Sequence, residues 1–215
     1  MKKTFFIALG LLLVLGTIIY LVEKEKGDNE TANNGNLERE IVEVGTTKAL
    51  LETYSFEEAV SEAELIAEIE IDEYLEEIKE PSPKTLFDAK IINSYTNDPS
   101  LKDIKVLQQG TKEYSFNGNP IFEKDEKYIL FLKKAVGDRF DGTDTYWILG
   151  EETNIYSIID NNIIKKWALR DDVLTNIEIK DYRNINSNDN SNKDSQLLDK
   201  DLFEDIMKKV IEERK

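Results

Sequence analysis

The first 22 residues set the pattern apart from everything that follows. Thr4 to Val22 (TFFIALGLLLVLGTIIYLV) holds no charged residue and follows Lys2 and Lys3. As a helix these 19 positions would span about 28 Å, close to the hydrocarbon thickness of a bilayer. The spacing predicts a transmembrane helix from Thr4 to Val22, with Tyr20 near one interface. The apolar run is longer than a signal-peptide core and passes straight into Glu23-Lys24-Glu25-Lys26, so an uncleaved anchor is the expectation. Cleavage, which would release a secreted protein, is the alternative.

Polar residues then take over. Residues 23–36 (EKEKGDNETANNGN) hold nothing apolar larger than Ala32 and read as a stalk. Residues 37–54 are ambiguous, and Ile41, Val42 and Val44 would suit an edge strand or a short arm. At Ser55 a helix is expected, because Ser55 and Glu58 have capping-box spacing and Phe56, Ala59, Val60 and Ala63 share one face. After Glu64 the period changes to two: Leu65, Ala67, Ile69 and Ile71 alternate with a mostly acidic set, the mark of a half-buried strand.

Further strands are predicted in TLFDAKII at 85–92 and DIKVLQQG at 103–110. The run Tyr128–Leu132 is continuously apolar, as in a strand buried on both faces, and Tyr146–Leu149 is similar. Ile155–Ile159 and Ile163–Trp167 flank Asp160-Asn161-Asn162, a hairpin turn whose residues tolerate positive φ. Repeated strands with one helix ahead of them predict a mainly β fold, an antiparallel sheet closed into a small barrel or sandwich. Residues 184–196 form an Asn/Ser-rich linker. Beyond it Leu198, Leu202, Phe203, Ile206 and Val210 fall on one side of a C-terminal amphipathic helix, placed at 197–215. The chain thus divides at 1–22, 23–36, 37–183, 184–196 and 197–215.

Composition narrows the chemistry. There is no Cys and no His, which removes disulfides, thiolate and Ser-His-Asp catalysis, and Cys-ligated zinc. The formal net charge of −16 repels phosphate backbones and anionic lipid surfaces, so no nucleic-acid partner is expected. Lys2 and Lys3 place the N-terminus in the cytoplasm and the acidic domain outside a cell membrane. A disulfide-free exported domain fits a bacterium.

Few residues invite specific chemistry. Asp138, Asp141 and Asp144 in DRFDGTDTYW are candidate calcium ligands, since hard cations gather carboxylate oxygens on turns. The spacing is not that of an EF-hand, and Asp and Gly also suit an ordinary hairpin turn. Phosphate-cradling GxxxxGK[ST] and GxGxxG motifs are absent. Asn117-Gly118-Asn119-Pro120 is a turn signal, and Trp147 and Trp167 would suit either a strand core or a ligand groove. No catalytic residue and no organic cofactor is expected.

EAELIAEIEI at 62–71, TLFDAKIINSY at 85–95, LKDIKVLQQG at 101–110, PIFEKDEKYILFLKK at 120–134 and IYSIIDNNII at 155–164 resemble a group of small extracytoplasmic bacterial proteins. These are often lipoproteins with an OB-like barrel similar to netrin and metalloproteinase-inhibitor modules. The resemblance covers about 110 residues and implies an OB-like barrel outside the membrane. It departs at Glu68, Asp103 and Asp125, where glycine is expected, and in having a helix in place of a lipidated Cys. The inhibitors act through a metal-chelating N-terminal Cys, which this chain lacks.

The leading expectation is a non-enzymatic binding or regulatory module, held outside a bacterial membrane, with a protein or cation partner. The alternatives are a carboxylate-based envelope hydrolase and an immunity or structural protein acting through its transmembrane helix.

Overall fold

The computed structural model describes residues 45–47, 52–96, 100–180 and 194–213. The proposed membrane span from Thr4 to Val22 and the stalk lie outside the described residues. Among the described residues no helix is long and apolar enough to cross a membrane.

Five strands form a closed ring. They are β2 (Leu65–Ile78), β3 (Lys84–Ser94), β4 (Asp103–Gln109), β6 (Lys127–Lys134) and β7 (Thr145–Ile148), in the order β2-β3-β4-β7-β6 and back to β2. The last closure joins Leu132 of β6 to Ile148 of β7. The sequence reading expected an antiparallel sheet, yet β4 and β7 run parallel, with Val106 beside Tyr146. An odd number of strands requires this: alternating directions around a ring of five leave one neighbouring pair pointing the same way. A second parallel pair joins β1 (Gly45–Thr47) to β5 (Tyr114–Phe116), so the ambiguous stretch before Ser55 does contribute a strand.

Period-two patterning fills the barrel. Leu65, Ala67, Ile69 and Ile71 of β2 point inward with Phe87, Val106 and Leu130 of the strands around them. The opposite face of β6 is covered as well. Three strands extend the sheet beyond it: β8 (Ile155–Asp160), β9 (Ile163–Lys166) and β10 (Gln196–Asp199). Together with helices α1 (Phe56–Glu62) and α2 (Lys200–Glu212) they bury Ile129 and Phe131 of β6 in a second core. That explains the continuous apolar run in β6: alternate residues serve two cores.

Helix α1 starts as its capping box dictates, with the Ser55 hydroxyl accepting from the Glu58 amide and the Glu58 carboxylate accepting from the Ser55 amide. The Phe56 amide, unpaired within a first turn, donates to the Asp171 carboxylate at 2.7 Å. Helix α2 begins at Lys200, later than the expected 197, because Gln196–Asp199 pair with β9 and Asp199 caps the helix by accepting from the Leu202 amide. It docks through Phe203, which packs on Phe56 and Tyr156 at ring separations of 5.4 and 4.7 Å.

Two of the three positions where the resemblance expects glycine have visible solutions. Asp125 takes the left-handed conformation itself, at φ 69°, which Asp tolerates better than most residues. Glu68 stands at a β-bulge and pairs with Lys200 of α2 at 2.8 Å, tying helix to barrel.

Candidate ligand-binding trough

The extension strands create an open face beside the barrel. Tyr128 of β6 is opposite Ser157 of β8, and Ser157 is opposite Lys165 of β9. The intervening Tyr156 and Ile164 belong to the core under the helices. Alternation therefore turns Ser157 and Lys165 to the other face. Trp167 follows β9 on that same side, and its indole N–H donates to the Ser157 hydroxyl at 2.5 Å. Its ring meets Phe122 and Tyr128 edge-on, at 5.8 and 6.0 Å, while Phe122 and Tyr128 lie 4.2 Å apart.

The loop between β5 and β6 forms the facing wall. It contains Asn117 and Asp125 at positive φ, so it reverses twice. Gln108 of β4, almost fully buried, holds it from inside the barrel: its Nε2 donates to the Pro120 carbonyl at 2.9 Å, and its Oε1 accepts from the Phe122 amide at 3.0 Å. The Tyr128 hydroxyl donates to Glu126 at 2.5 Å, and the Glu123 amide donates to the same oxygen at 2.7 Å. Burial, then the neighbouring Glu126 and Glu123 carboxylates, push the Tyr128 phenol far above its ordinary range. It stays a neutral donor at any physiological pH.

Three adjoining hollows form a trough, two of them between loop and sheet and the third along the loop and the residues just before it. One of about 190 Å³ lies by Asp125, Glu126 and Ile158. The central one, of about 290 Å³, is walled by Asn119, Pro120, Tyr128, Lys165 and Trp167. The third, of about 710 Å³, runs along Thr111, Ser115, Gly118 and Ile121. Glu126, Tyr128 and Ser157 are shared by the first two, and Asn119 and Pro120 by the last two.

A buried polar turn anchors the loop from behind. Gly150 adopts φ 67° and leads a 3-10 turn, Glu151–Asn154, whose four side chains are all buried. Glu152 accepts from Asn117 Nδ2 at 2.6 Å, which fixes the start of the trough loop. Burial pushes the Glu151 carboxyl up to about 8, although the Gln109 amide and Lys84 favour its charge. Lys166 lies beneath, donating to the carbonyls of Thr153 and Ala168. Burial lowers its ammonium to about 8, against the pull of Asp171 and Glu152. One oxygen of Glu152 and the Tyr156 hydroxyl are buried without a hydrogen-bond partner. A turn this enclosed works as a support for the loop rather than as a surface open to a substrate.

The sequence-derived candidates fall elsewhere. Asp138 and Asp141 are exposed on the β6–β7 loop, and Asp144 pairs with Lys134 at 2.7 Å. That loop is pinned by its own residues: Phe140 packs against the small cluster of Ile78, Leu86 and Leu107, and Arg139 pairs with Glu76 at 2.5 Å. Among the described residues no group of three or more acidic side chains stands ready to hold a metal ion. Of the two tryptophans, Trp147 is 43% exposed on the outside of the barrel, and Trp167 lines the trough. The sequence reading missed Asn119, Glu126, Ser157 and Lys165. The signal present was Ser157, a lone polar residue in an apolar strand, opposite Lys165 across the hairpin.

Compared with the families of known proteins, with curated proteins and with solved structures, the chain matches none.

Proposed function

We propose that the protein is a non-enzymatic binding module, displayed outside a bacterial membrane on an N-terminal transmembrane helix, with the trough beside the barrel as its ligand site. The observation that carries this reading is the trough's wall: the partly exposed Trp167 has its indole N–H hydrogen-bonded to Ser157 within the protein, leaving ring surface as what it offers a ligand, while the buried Tyr128 and Phe122 back it from the core. Aromatic walls with a few fixed polar groups are the usual make-up of ligand sites. The barrel is read as OB-like, since its first three strands form a meander, a fourth returns beside the first, and the ring is closed. The uncharged run from Thr4 to Val22, with lysines on one side and acid on the other, supports the anchor and its orientation.

The test is capture from envelope extracts by the full-length chain in detergent, with Trp167→Ala and Trp147→Ala run beside it. Capture that survives Trp147→Ala and is lost with Trp167→Ala supports the trough as the site. Capture indifferent to Trp167 refutes it.

A further inference from the structure

Resting on the trough as a binding site, we infer that its ligand is an uncharged oligosaccharide segment, several sugar rings long. The first ground is charge. Across the three hollows the ionisable lining residues are Glu123, Asp125 and Glu126 against Lys112, Lys127 and Lys165, which balance. Lys127 pairs with Glu70 at 3.2 Å, and Lys112 lies over the Tyr74 ring at 4.4 Å. The trough thus carries no net charge, while the whole chain, at −16, repels polyanions. A polyphosphate or an acidic polymer meets no compensating patch here.

The second ground is the chemistry of the remaining lining. Thr111, Ser115, Asn119 and Ser157 are hydroxyl and amide groups, able both to donate and to accept. A ligand dense in hydroxyls matches them along its edges. Sugar rings also have apolar C–H faces, and these suit the ring surface of the partly exposed Trp167, which Tyr128 and Phe122 hold in place from the core. A proline-rich peptide would use the same aromatic wall, but it brings an edge poor in donors to a trough rich in paired donor-acceptor groups.

The third ground is shape. The hollows adjoin in a row and share lining residues, so a linear ligand of repeating units fits better than a single compact one. The site is also separate from the outer faces of β3 and β4, where Phe140 of the β6–β7 loop covers Leu86 and Leu107.

Isothermal titration of the full-length chain in detergent micelles tests this. The probes are two uncharged hexasaccharides, one of glucose and one of N-acetylglucosamine, an anionic uronic-acid hexasaccharide, and a proline-rich peptide of similar length. Saturable binding of an uncharged hexasaccharide is expected. Trp167→Ala should weaken it by about tenfold or more, as for a buried aromatic contact, and Trp147→Ala should leave it unchanged. Trp167→Phe keeps an aromatic ring against Phe122 and Tyr128, so retention of part of the affinity separates ligand contact from misfolding. In a Trp147→Phe background Trp167 is the sole tryptophan, and its emission should shift on saturation. Binding of the peptide alone, lost with Trp167→Ala, would overturn the sugar assignment and leave the trough as a site. Equal binding of the anionic sugar would overturn the uncharged assignment. Sugar binding indifferent to Trp167 would overturn both.

Discussion

Replacing Glu151 by Gln isolates the electrostatic cost of the turn that holds the trough loop. The Glu151 carboxyl is buried, and its midpoint rises from 4.5 to about 8. Below pH 4.5 the folded and unfolded chains both carry the proton, and Glu151 costs nothing. As pH rises from there toward 8, the unfolded chain releases its proton and the folded chain keeps it, so stability falls. The slope approaches about 1.4 kcal/mol per pH unit, giving about 3 kcal/mol at pH 7 and levelling near about 5 kcal/mol above pH 8. Glu151→Gln keeps the size of the side chain and the oxygen that accepts from the Gln109 amide, and it removes the titration. Urea unfolding of residues 37–215, run for both proteins from pH 4.5 to 9, gives the difference curve directly. Lys166 contributes an opposite trend, destabilising while charged and relieved as pH rises from 8 toward 10.5, but it is present in both proteins and largely cancels. The variant should match the parent near pH 4.5 and exceed it progressively toward pH 8. A flat difference across that window would refute a buried, protonated Glu151.

Three other substitutions probe separate parts of the structure. Phe203→Ala removes a fully buried ring and should cost about 3–5 kcal/mol in urea unfolding; a loss under about 1 kcal/mol would mean that α2 is not docked on the β6–β8 layer. Gly150→Ala forces a Cβ to within 2.6 Å of Thr153 Oγ1 and 2.9 Å of Asn154 Nδ2 at φ 67°, so a loss of about 1–3 kcal/mol is expected, and an unchanged midpoint would contradict the geometry of the turn. Val136→Cys, at a position 86% exposed in a chain without other cysteines, should react with a membrane-impermeant maleimide on intact cells; labelling only after lysis would contradict display outside the membrane.

Much of the barrel was legible because its strands are half-buried and period two is hard to disguise. The capping box at Ser55, the hairpin at Asp160–Asn162 and the doubly buried β6 each left a local signature that the structure matches. Closure was not legible, since pairing β7 to both β4 and β6 depends on contacts distant in sequence. The start of α2 was misplaced for a related reason. Leu198 continues the helical stripe, yet its amide and carbonyl are drawn into β10 by the edge of β9, and strand pairing outweighs a periodicity that both states satisfy.

The trough was less visible still. Its residues come from a turn, a strand end and a hairpin, and what unites them is that β8 and β9 extend the sheet past the barrel. Asn119-Pro120 reads as a turn in sequence because it is one. Its second role depends on Gln108, a buried glutamine that follows Ile104 and Val106 on the inward row of β4, whose two hydrogen bonds fix where that turn stands. The acidic loop at 138–144 drew attention by composition. Phe140, the one large apolar residue in it, explains its placement better than the aspartates do.

Photo-crosslinking in living cells tests the trough most directly. A photoreactive amino acid replaces Lys165 in one full-length variant and Val136 in another, beyond the opposite end of β6. A discrete adduct formed from position 165, absent from position 136 and lost when Trp167→Ala is added, is the result expected of a ligand site at the trough. The same adducts from both positions, or adducts from position 136 alone, would contradict it.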